Sequence, residues 1–305
     1  MESAEPIVHR PSRIAVLGPG GVGGLLAAVL ARAGHEVVCL AGEATAELLR
    51  AKGIRVRSEE FGEFTAQVGA DTQLREPVDL CLIAVKQTAL EAGLDRVDPE
   101  VLGGGLLVPL LNGVEHPALL RGRYRPELVA PGVIRVESTR LEPGLIVHAS
   151  PFADLDLASA TAPRERLDAA AGLLSAAGFG VRVLPDEASA LWAKMGFVAP
   201  MALLTTRYGQ SVGEVRTQHR AELFAAIAEV AAVAEAVGAE LDLGGIEAFY
   251  LTVPAEMKSS MQRDAEAGRP LELDAIGGAV LRAAALHGVA VPVLTDLVLR
   301  LAAQA

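Results

Sequence analysis

The sequence predicts an α/β fold in which a mostly parallel sheet, covered by helices on both faces, is followed by an all-helical region. Apolar strands alternate with helical segments in the first half of the 305-residue chain, and strands this apolar are typical of a parallel sheet with both faces buried. From Glu187 onward, apolar residues recur at helical spacing almost throughout. The change at Pro185 predicts two domains, 13–185 and 186–305, with residues 1–12 as a flexible tail.

The elements of the first domain follow from apolar runs and the turns between them. Its predicted sheet strands are 14–17, 36–40, 80–85 and 106–111, with helices at 24–33, 46–52 and 88–94. A hairpin is predicted at 54–57 and 64–68, and Pro-Gly turns punctuate a strand-rich segment, 128–157. Helix 164–177 and strand 181–184 complete the domain. In the second domain, glycine and proline delimit helices 221–237, 273–287 and 295–303.

The composition excludes several kinds of partner. The net charge of −11 argues against a nucleic-acid surface, which needs a basic patch. No apolar run reaches the roughly 18 residues that span a bilayer, and residues 1–12 lack the apolar core of a signal peptide. Cys39 and Cys81 fall in predicted buried strands, and the six histidines show no metal-ligand spacing. We therefore expect free thiols in a reducing cytoplasm and no metal site.

A glycine-rich loop follows the first strand directly. Its sequence, Gly18-Pro19-Gly20-Gly21-Val22-Gly23, places Gly-x-Gly-x-x-Gly between a strand and a helix. Gly18 permits a tight turn, Gly20 lets the backbone approach a pyrophosphate, and Gly23 lets the helix pack against the sheet. The helix N-terminus also offers N–H groups and a positive dipole end to phosphate. This context predicts a Rossmann-type dinucleotide-binding domain, and the alternative is a glycine-rich structural turn.

Polar residues suited to chemistry occur in both predicted domains. Lys86 and Asn112 each follow an apolar strand, and ligands bind at the carboxyl ends of strands in open α/β sheets. Lys194, Ser260 and Glu272 lie in the helical region. A cleft between the two domains would bring these side chains together.

The sequence resembles the ketopantoate reductase family over nearly the whole chain after the tail. The resemblance rests on the order and spacing of the glycine-rich loop, Gly34-His35-Glu36-Val37, Lys86, Asn112-Gly113, Leu191-Trp192-Ala193-Lys194, Ser259-Ser260-Met261, Glu272-Leu273-Asp274 and the segment 285–292. It implies a reductase dependent on NADPH or NADH that transfers a hydride to the carbonyl of a 2-oxo acid.

The resemblance also implies a role for each candidate residue. Lys194 would stabilise the charge that develops on the substrate oxygen and donate the proton. Glu272 would bind or orient the substrate, and Ser260 would hydrogen-bond its carboxylate. Asn112 and Lys86 would lie near the nicotinamide, with Asn112 also at the substrate. Four of these residues have a structural alternative: a solvated helix lysine for Lys194, a surface carboxylate for Glu272, a helix cap for Ser260 and a tight Asn-Gly turn for Asn112.

Three substrate-side positions depart from the family pattern. Val198, Ala202 and Met257 stand where the family usually carries asparagine. A pocket that has lost hydrogen-bonding groups favours more apolar substrates. We therefore expect a bulkier or more apolar 2-oxo acid than ketopantoate.

A further departure concerns the cofactor. Gly42 stands where the family often has an arginine that matches the extra phosphate of NADPH, and Glu43 follows it. Glu43 lies twenty residues after Gly23, where a carboxylate binds the ribose hydroxyls in NAD enzymes. Arg50 could still reach a 2′-phosphate, so the sequence favours NADH only modestly.

Three functions fit these features. The first is a reductase of a 2-oxo acid, the second an imine or ketone reductase of secondary metabolism, and the third a non-catalytic dinucleotide sensor. The joint presence of Lys194, Glu272 and Ser260 favours an enzyme. The expected partner is a small carbonyl compound, with no nucleic acid and no membrane, and the alanine-rich helices are compatible with a homodimer.

Overall fold

The computed structural model describes residues 11–304. Residues 1–10, most of the predicted tail, lie outside the described residues. Ser12, at the end of that predicted tail, is bonded to the sheet: its N–H donates to His35 Nδ1 at 3.3 Å, and its carbonyl accepts from the Glu36 N–H at 3.0 Å. Regular structure among the described residues begins at Arg13.

The described chain contains strands up to Val183 and helices throughout. The strands are β1 Arg13–Leu17, β2 Glu36–Leu40, β3 Ile54–Ser58, β4 Phe64–Ala66, β5 Gly69–Asp71, β6 Leu80–Ile83, β7 Leu106–Pro109, β8 Gly132–Arg135, β9 Ser138–Glu142, β10 Leu145–His148, β11 Asp154–Leu157 and β12 Gly180–Val183. The helices are α1 Gly21–Arg32, α2 Glu43–Lys52, α3 Leu90–Leu94, α4 Pro99–Leu102, α5 His116–Arg123, α6 Arg164–Ala176, α7 Glu187–Tyr208, α8 Val212–Gln218, α9 Arg220–Ala236, α10 Leu243–Thr252, α11 Ser260–Glu266, α12 Ala279–His287 and α13 Pro292–Ala302.

The first domain is built on a five-stranded parallel sheet with the order β5-β2-β1-β6-β7. In the central strand, Ile14 pairs with Val37 of β2 and with Leu80 of β6. The chain adds strands on one side of β1 first and then on the other. The carboxyl ends of β1 and β6 therefore flank the switch point at which open α/β sheets bind ligands.

Both faces of this sheet are buried, as its apolar strands predict. Ile14 and Val16 pack into one core with Leu26 of α1, whereas Ala15 and Leu17 pack into a second core on the opposite face. Alternate residues of a strand point to opposite faces, so one five-residue strand serves two cores. The predicted fold class, a Rossmann-type domain followed by a helical domain, is confirmed.

Two smaller sheets extend the first domain. The predicted hairpin forms as β3 and β4, with Ile54 opposite Ala66, and β10 joins β3 in parallel within the order β4-β3-β10-β9. The predicted strand-rich segment supplies β8, β9, β10 and β11, and the third sheet has the order β12-β11-β8. The short strand β5 lacks a clear apolar run and is not predicted by the sequence.

The described chain from α7 onward is helical. Asp186 caps α7 by accepting a hydrogen bond from the Ser189 N–H, and Gly209 ends the helix with φ +64°. The predicted helix 273–287 differs in its first turn, because Asp274–Gly278 is π-helical before α12 begins. The helices α5, α8, α10 and α11 have 7 to 10 residues. They are too short for the periodicity on which prediction depends.

One described helix, α7, is long and apolar enough to cross a membrane by length and composition. However, 67% of its most apolar window is buried inside the protein. Met195, Ala199 and Leu203 of α7 belong to the apolar core of the second domain. A buried core helix passes the same length and composition test, and α7 is a core helix here.

Candidate functional site between the two domains

The glycine-rich loop makes a tight turn directly after β1. Gly18 has φ +86°, a conformation that favours glycine. Its N–H donates to the Leu40 carbonyl at 3.1 Å, and its own carbonyl accepts from the Gly20 N–H at 2.7 Å. These bonds fix the direction in which the chain enters α1.

The other glycines of the loop serve two different purposes. A Cβ on Gly23 would lie 2.2 Å from the Gly18 carbonyl oxygen, and a Cβ on Gly21 would lie 2.2 Å from the Ser138 carbonyl oxygen. Both positions therefore need glycine for packing. A Cβ on Gly20 would meet nothing closer than 4.0 Å, so Gly20 faces open space. The contact of Gly21 with β9 is not predicted by the sequence.

The loop fits the pyrophosphate of a dinucleotide. No side chain caps α1, so the N–H groups of its first turn are available to an anion. Pro19 is buried, Val22 packs against the core of the sheet, and Gly20 leaves the approach to the helix N-terminus clear. The residues of the loop would hold the phosphates through backbone groups.

The residues expected near the adenosine ribose lie at the end of β2. Gly42 caps α2 and Glu43 is its first residue. Arg50 Nη2 lies 3.2 Å from Glu43 Oε1, and Arg50 Nη1 donates to the Ala70 carbonyl at 2.9 Å. Arg50 is therefore held by the carboxylate and by β5.

A buried carboxylate joins the two domains. Glu272 is only 6% exposed. Its Oε1 accepts from the Gln87 N–H at 2.9 Å, and its Oε2 accepts from Asn112 Nδ2 at 3.1 Å. Gln87 and Asn112 follow β6 and β7, so Glu272 reaches the carboxyl ends of two neighbouring strands. The alternative of a surface carboxylate is wrong.

Lys194 lies at the same place. Its Nζ donates to the carbonyl of Leu111, the residue before Asn112, at 3.3 Å. Burial lowers the pKa of Lys194 from 10.5 to about 8; the Glu272 carboxylate opposes this shift, and the Arg135 guanidinium adds to it. The alternative of a freely solvated lysine does not describe this side chain. A lysine with this pKa can donate a proton near neutral pH.

Lys86 is also part of the domain contact. Its ammonium forms an ion pair with Asp264 of α11, whose carboxylate is 4% exposed. Arg269 Nε lies 2.8 Å from the other oxygen of the same carboxylate. Lys86 thus ties the end of β6 to the helical domain.

Ser260 and its neighbour Ser259 have different environments. Ser259 is buried and caps α11, accepting from the Gln262 N–H at 3.0 Å. Ser260 is the first residue of α11 and is exposed. The helix-cap alternative therefore applies to Ser259, and Ser260 is accessible to a ligand.

The three positions that depart from the family pattern are not equivalent. Val198 and Met257 are half-buried and pack at the border of the helical core. Ala202 is only 2% exposed and belongs to that core. Val198 and Met257 are therefore more accessible than Ala202.

Four residues near the site are missing from the sequence-based set: Gln87, Asp264, Arg135 and His116. Gln87 contributes a backbone N–H, for which sequence carries no side-chain signal. Asp264 lies one helical turn after Ser260 and could have been found from that spacing. His116 is buried with no partner for its ring nitrogens among the described residues. Burial, together with the charges of Lys194 and Arg121, lowers its pKa to about 3.

The glycine loop yields a matched pair of tests. Gly20→Ala should leave the melting temperature within about 1 °C and raise the Kd of the dinucleotide at least about tenfold, because its methyl group enters the open approach. Gly23→Ala should lower the melting temperature by more than about 5 °C, because it meets the Gly18 carbonyl. Thermal unfolding and calorimetric titration measure both. Unchanged binding in Gly20→Ala would contradict the placement of the pyrophosphate.

Comparison with known proteins agrees with this architecture. Two family models match, ketopantoate reductase PanE/ApbA over residues 14–160 and its C-terminal counterpart over residues 187–304. A 2-dehydropantoate 2-reductase of Mycobacterium tuberculosis is 31% identical over 300 residues, which cover 95% of this chain and 97% of that protein. The uncharacterized oxidoreductase YkpB of Bacillus subtilis is 28% identical over 291 residues, covering 92% of this chain and 94% of that protein.

Solved structures show the same relationship. The 2-dehydropantoate 2-reductase from Geobacter metallireducens superimposes with a TM-score of 0.88 at 28% identity, covering 96% of this chain and all of that chain. A family ketopantoate reductase from Ralstonia eutropha superimposes with a TM-score of 0.85 at 28% identity, over 94% and 96% of the two chains. The chain that carries the glycine loop is therefore an oxidoreductase. This chain belongs to the ketopantoate reductase PanE/ApbA family.

Proposed function

We propose that the protein reduces the carbonyl of a 2-oxo acid with a nicotinamide dinucleotide, and that Lys194 donates the proton. The observation that carries the proposal is the meeting of Lys194, Asn112 and Glu272 at the ends of β6 and β7. These strand ends lie beside the glycine loop, so the carbonyl-reducing groups and the cofactor cradle share one cleft.

The chemistry requires charge stabilisation at the carbonyl oxygen. A reduced nicotinamide dinucleotide held by the glycine-rich loop 18–23 would supply a hydride to the carbonyl carbon. As the new C–H bond forms, the carbonyl electron pair moves to oxygen, and a positioned ammonium stabilises that charge. The proton of Lys194 then passes to the oxygen and gives the 2-hydroxy acid. With a pKa of about 8, Lys194 is mostly protonated at neutral pH.

Glu272 and Ser260 orient the substrate in this proposal. The Glu272 carboxylate favours the charged form of Lys194 and can accept a hydrogen bond from a substrate hydroxyl group. Ser260 is exposed on the first turn of α11 and can donate to the substrate carboxylate. Asn112 Nδ2 donates to Glu272 at 3.1 Å, which fixes the Asn112 amide beside that carboxylate.

Val198 and Met257 support a substrate with an apolar side chain. Val198 follows Lys194 by one turn on α7, and Met257 packs at the border of the same core. A hydroxyl group beside these two side chains would find no hydrogen-bond partner in them, so they favour an apolar part of the substrate there. An imine or a simple ketone would suit the same apolar wall and is the second candidate.

Glu43 supports NADH as the cofactor. A carboxylate at the end of β2 can accept hydrogen bonds from the ribose hydroxyls, and its charge repels a 2′-phosphate. Arg50, the nearby cation, is paired with Glu43.

A cytoplasmic location and a homodimer remain predictions, and light scattering would measure the oligomeric state.

Activity should depend on pH through Lys194. Because its ammonium is the active form, kcat/KM should fall about tenfold per pH unit above a pKa near 8. Glu272→Gln removes the negative charge that favours the ammonium form of Lys194. The fall of kcat/KM at basic pH should therefore begin at a lower pH in this variant. In Lys194→Arg, the activity that remains should no longer fall at basic pH, because arginine stays protonated. If kcat/KM of this variant still falls near pH 8, another group is responsible for the titration.

Lys194→Ala should separate turnover from cofactor binding. We expect kcat to fall by about a hundredfold or more, with the Kd of the dinucleotide within about twofold of the wild type.

A panel of 2-oxo acids, ketones and imines, assayed with NADH and NADPH, gives the substrate class. A sensor would bind the dinucleotide and turn over nothing, and a clear preference for ketopantoate would contradict the apolar substrate.

Glu43→Gln should shift the cofactor preference towards NADPH. We expect kcat/KM for NADPH relative to NADH to rise about tenfold, because the repelling charge is lost and Arg50 is released. The double variant Glu43→Gln with Arg50→Met should lose part of this gain. A wild-type enzyme that strongly prefers NADPH would contradict the role of Glu43.

A further inference from the structure

Arg135 is a cation with unused hydrogen-bonding capacity at the domain cleft. It is the last residue of β8, and its side chain is 40% exposed. Its Nη1 donates to Asp156 Oδ2 at 2.7 Å. Its Nε and Nη2 have no partner among the described residues. Two adjacent N–H donors of a guanidinium match the two oxygens of a carboxylate.

The packing of β8 on α7 places Arg135 on the side of Lys194. Val133 of β8 packs with Ala190 and Leu191 of α7. Residues two apart share a face of a strand, so Arg135 lies on the same face as Val133. Residues three and four apart share a face of a helix, so Lys194 lies on the same face as Ala190 and Leu191. Both cations therefore extend from one interface, and the charge of Arg135 is near enough to lower the pKa of Lys194.

Asp156 orients Arg135 through a bond to Nη1. Asp156 is buried, and Arg182 already contacts both of its oxygens, at 2.7 and 2.9 Å. Asp154 pairs with Arg135 in the register of β8 and β11, so two carboxylates and two guanidiniums lie in this cluster. Arg182 is 66% exposed, whereas Arg135 belongs to β8, the strand whose Val133 packs against α7.

The residues after Arg135 run along the cleft. Glu137 Oε1 accepts from Arg263 Nη2 at 2.6 Å, and Arg263 lies three residues after Ser260 on α11. Ser138 Oγ donates to the Gly21 carbonyl at 2.8 Å. The segment therefore links the substrate side of the cleft to the glycine-rich loop, and Arg135 stands at its substrate end.

We propose that Arg135 is a substrate-binding residue that holds the carboxylate of the 2-oxo acid through Nε and Nη2. This role rests on the proposed function and adds a second anchor beside Ser260. A carboxylate held by Arg135 places the neighbouring carbonyl towards Lys194, since the two cations leave the same interface. The enzyme thereby selects acids over neutral ketones of the same shape.

The test compares an acid with its neutral counterpart. KM and kcat are measured for a 2-oxo acid and for the methyl ester of that acid, with Arg135→Met, Arg135→Lys and the control Arg182→Met. Arg135→Met should raise KM for the acid about tenfold to one hundredfold and leave KM for the ester unchanged. Arg135→Lys should recover part of the loss. Arg182→Met, which removes the other partner of Asp156, should leave the ratio of the two KM values unchanged.

Other outcomes would overturn the assignment. An unchanged acid-to-ester ratio in Arg135→Met, or an equal change in Arg182→Met, would make Arg135 a structural partner of Asp156. A raised Kd for NADH in Arg135→Met, with the ratio unchanged, would assign its charge to a cofactor phosphate.

Binding of a carboxylate that cannot be reduced separates this inference from the proposed function. Oxamate, a non-reacting 2-oxo acid analogue, is titrated into the enzyme with NADH. If the wild type reduces only neutral ketones, the proposed function fails. Even then, the role of Arg135 as a carboxylate anchor is supported if the Kd for oxamate rises in Arg135→Met and stays the same in Arg182→Met. If the Kd for oxamate is unchanged in Arg135→Met, that role is rejected.

Discussion

The contact on which the site depends is the buried carboxylate of Glu272. Its two oxygens accept hydrogen bonds from the Gln87 N–H and the Asn112 side chain, and both donors follow strands of the parallel sheet. A buried carboxylate without partners would be costly. The helical domain is therefore held in the position in which both Glu272 oxygens have hydrogen-bond partners. In that position, Lys194 Nζ donates to the Leu111 carbonyl.

Other ion pairs cross the same boundary. Lys86 pairs with buried Asp264. Arg282 Nη2 of α12 lies 2.7 Å from Oε2 of Glu115, the residue before α5. The exposed Arg282–Glu115 pair contributes little to stability, but both pairs fix the position of one domain against the other. These contacts hold Lys194 at the end of β7, two strands away from β1 and its glycine loop in the same sheet. The proposed hydride and proton transfer rests on this arrangement.

The sequence predicts the parts of this arrangement that local pattern determines. The strand at 36–40 and the glycine-rich loop are signalled by adjacent residues, and both occur as expected. The partners of Glu272 are different, since Gln87 lies 185 residues away in the chain and contributes only its backbone. Arg135 also carries no local signal, because its role depends on the packing of β8 against α7. Short helices such as α5 escape prediction because one or two turns show no clear period.

A crystal structure with the dinucleotide and oxamate tests the central claim most directly, because it locates both ligands relative to Lys194 and the glycine loop. The account predicts the pyrophosphate at the Gly20 backbone and Lys194 Nζ within hydrogen-bond distance of the oxamate carbonyl oxygen. Glu272 should lie beside the same ligand. Oxamate bound away from Lys194, or a pyrophosphate away from the N-terminus of α1, would contradict it.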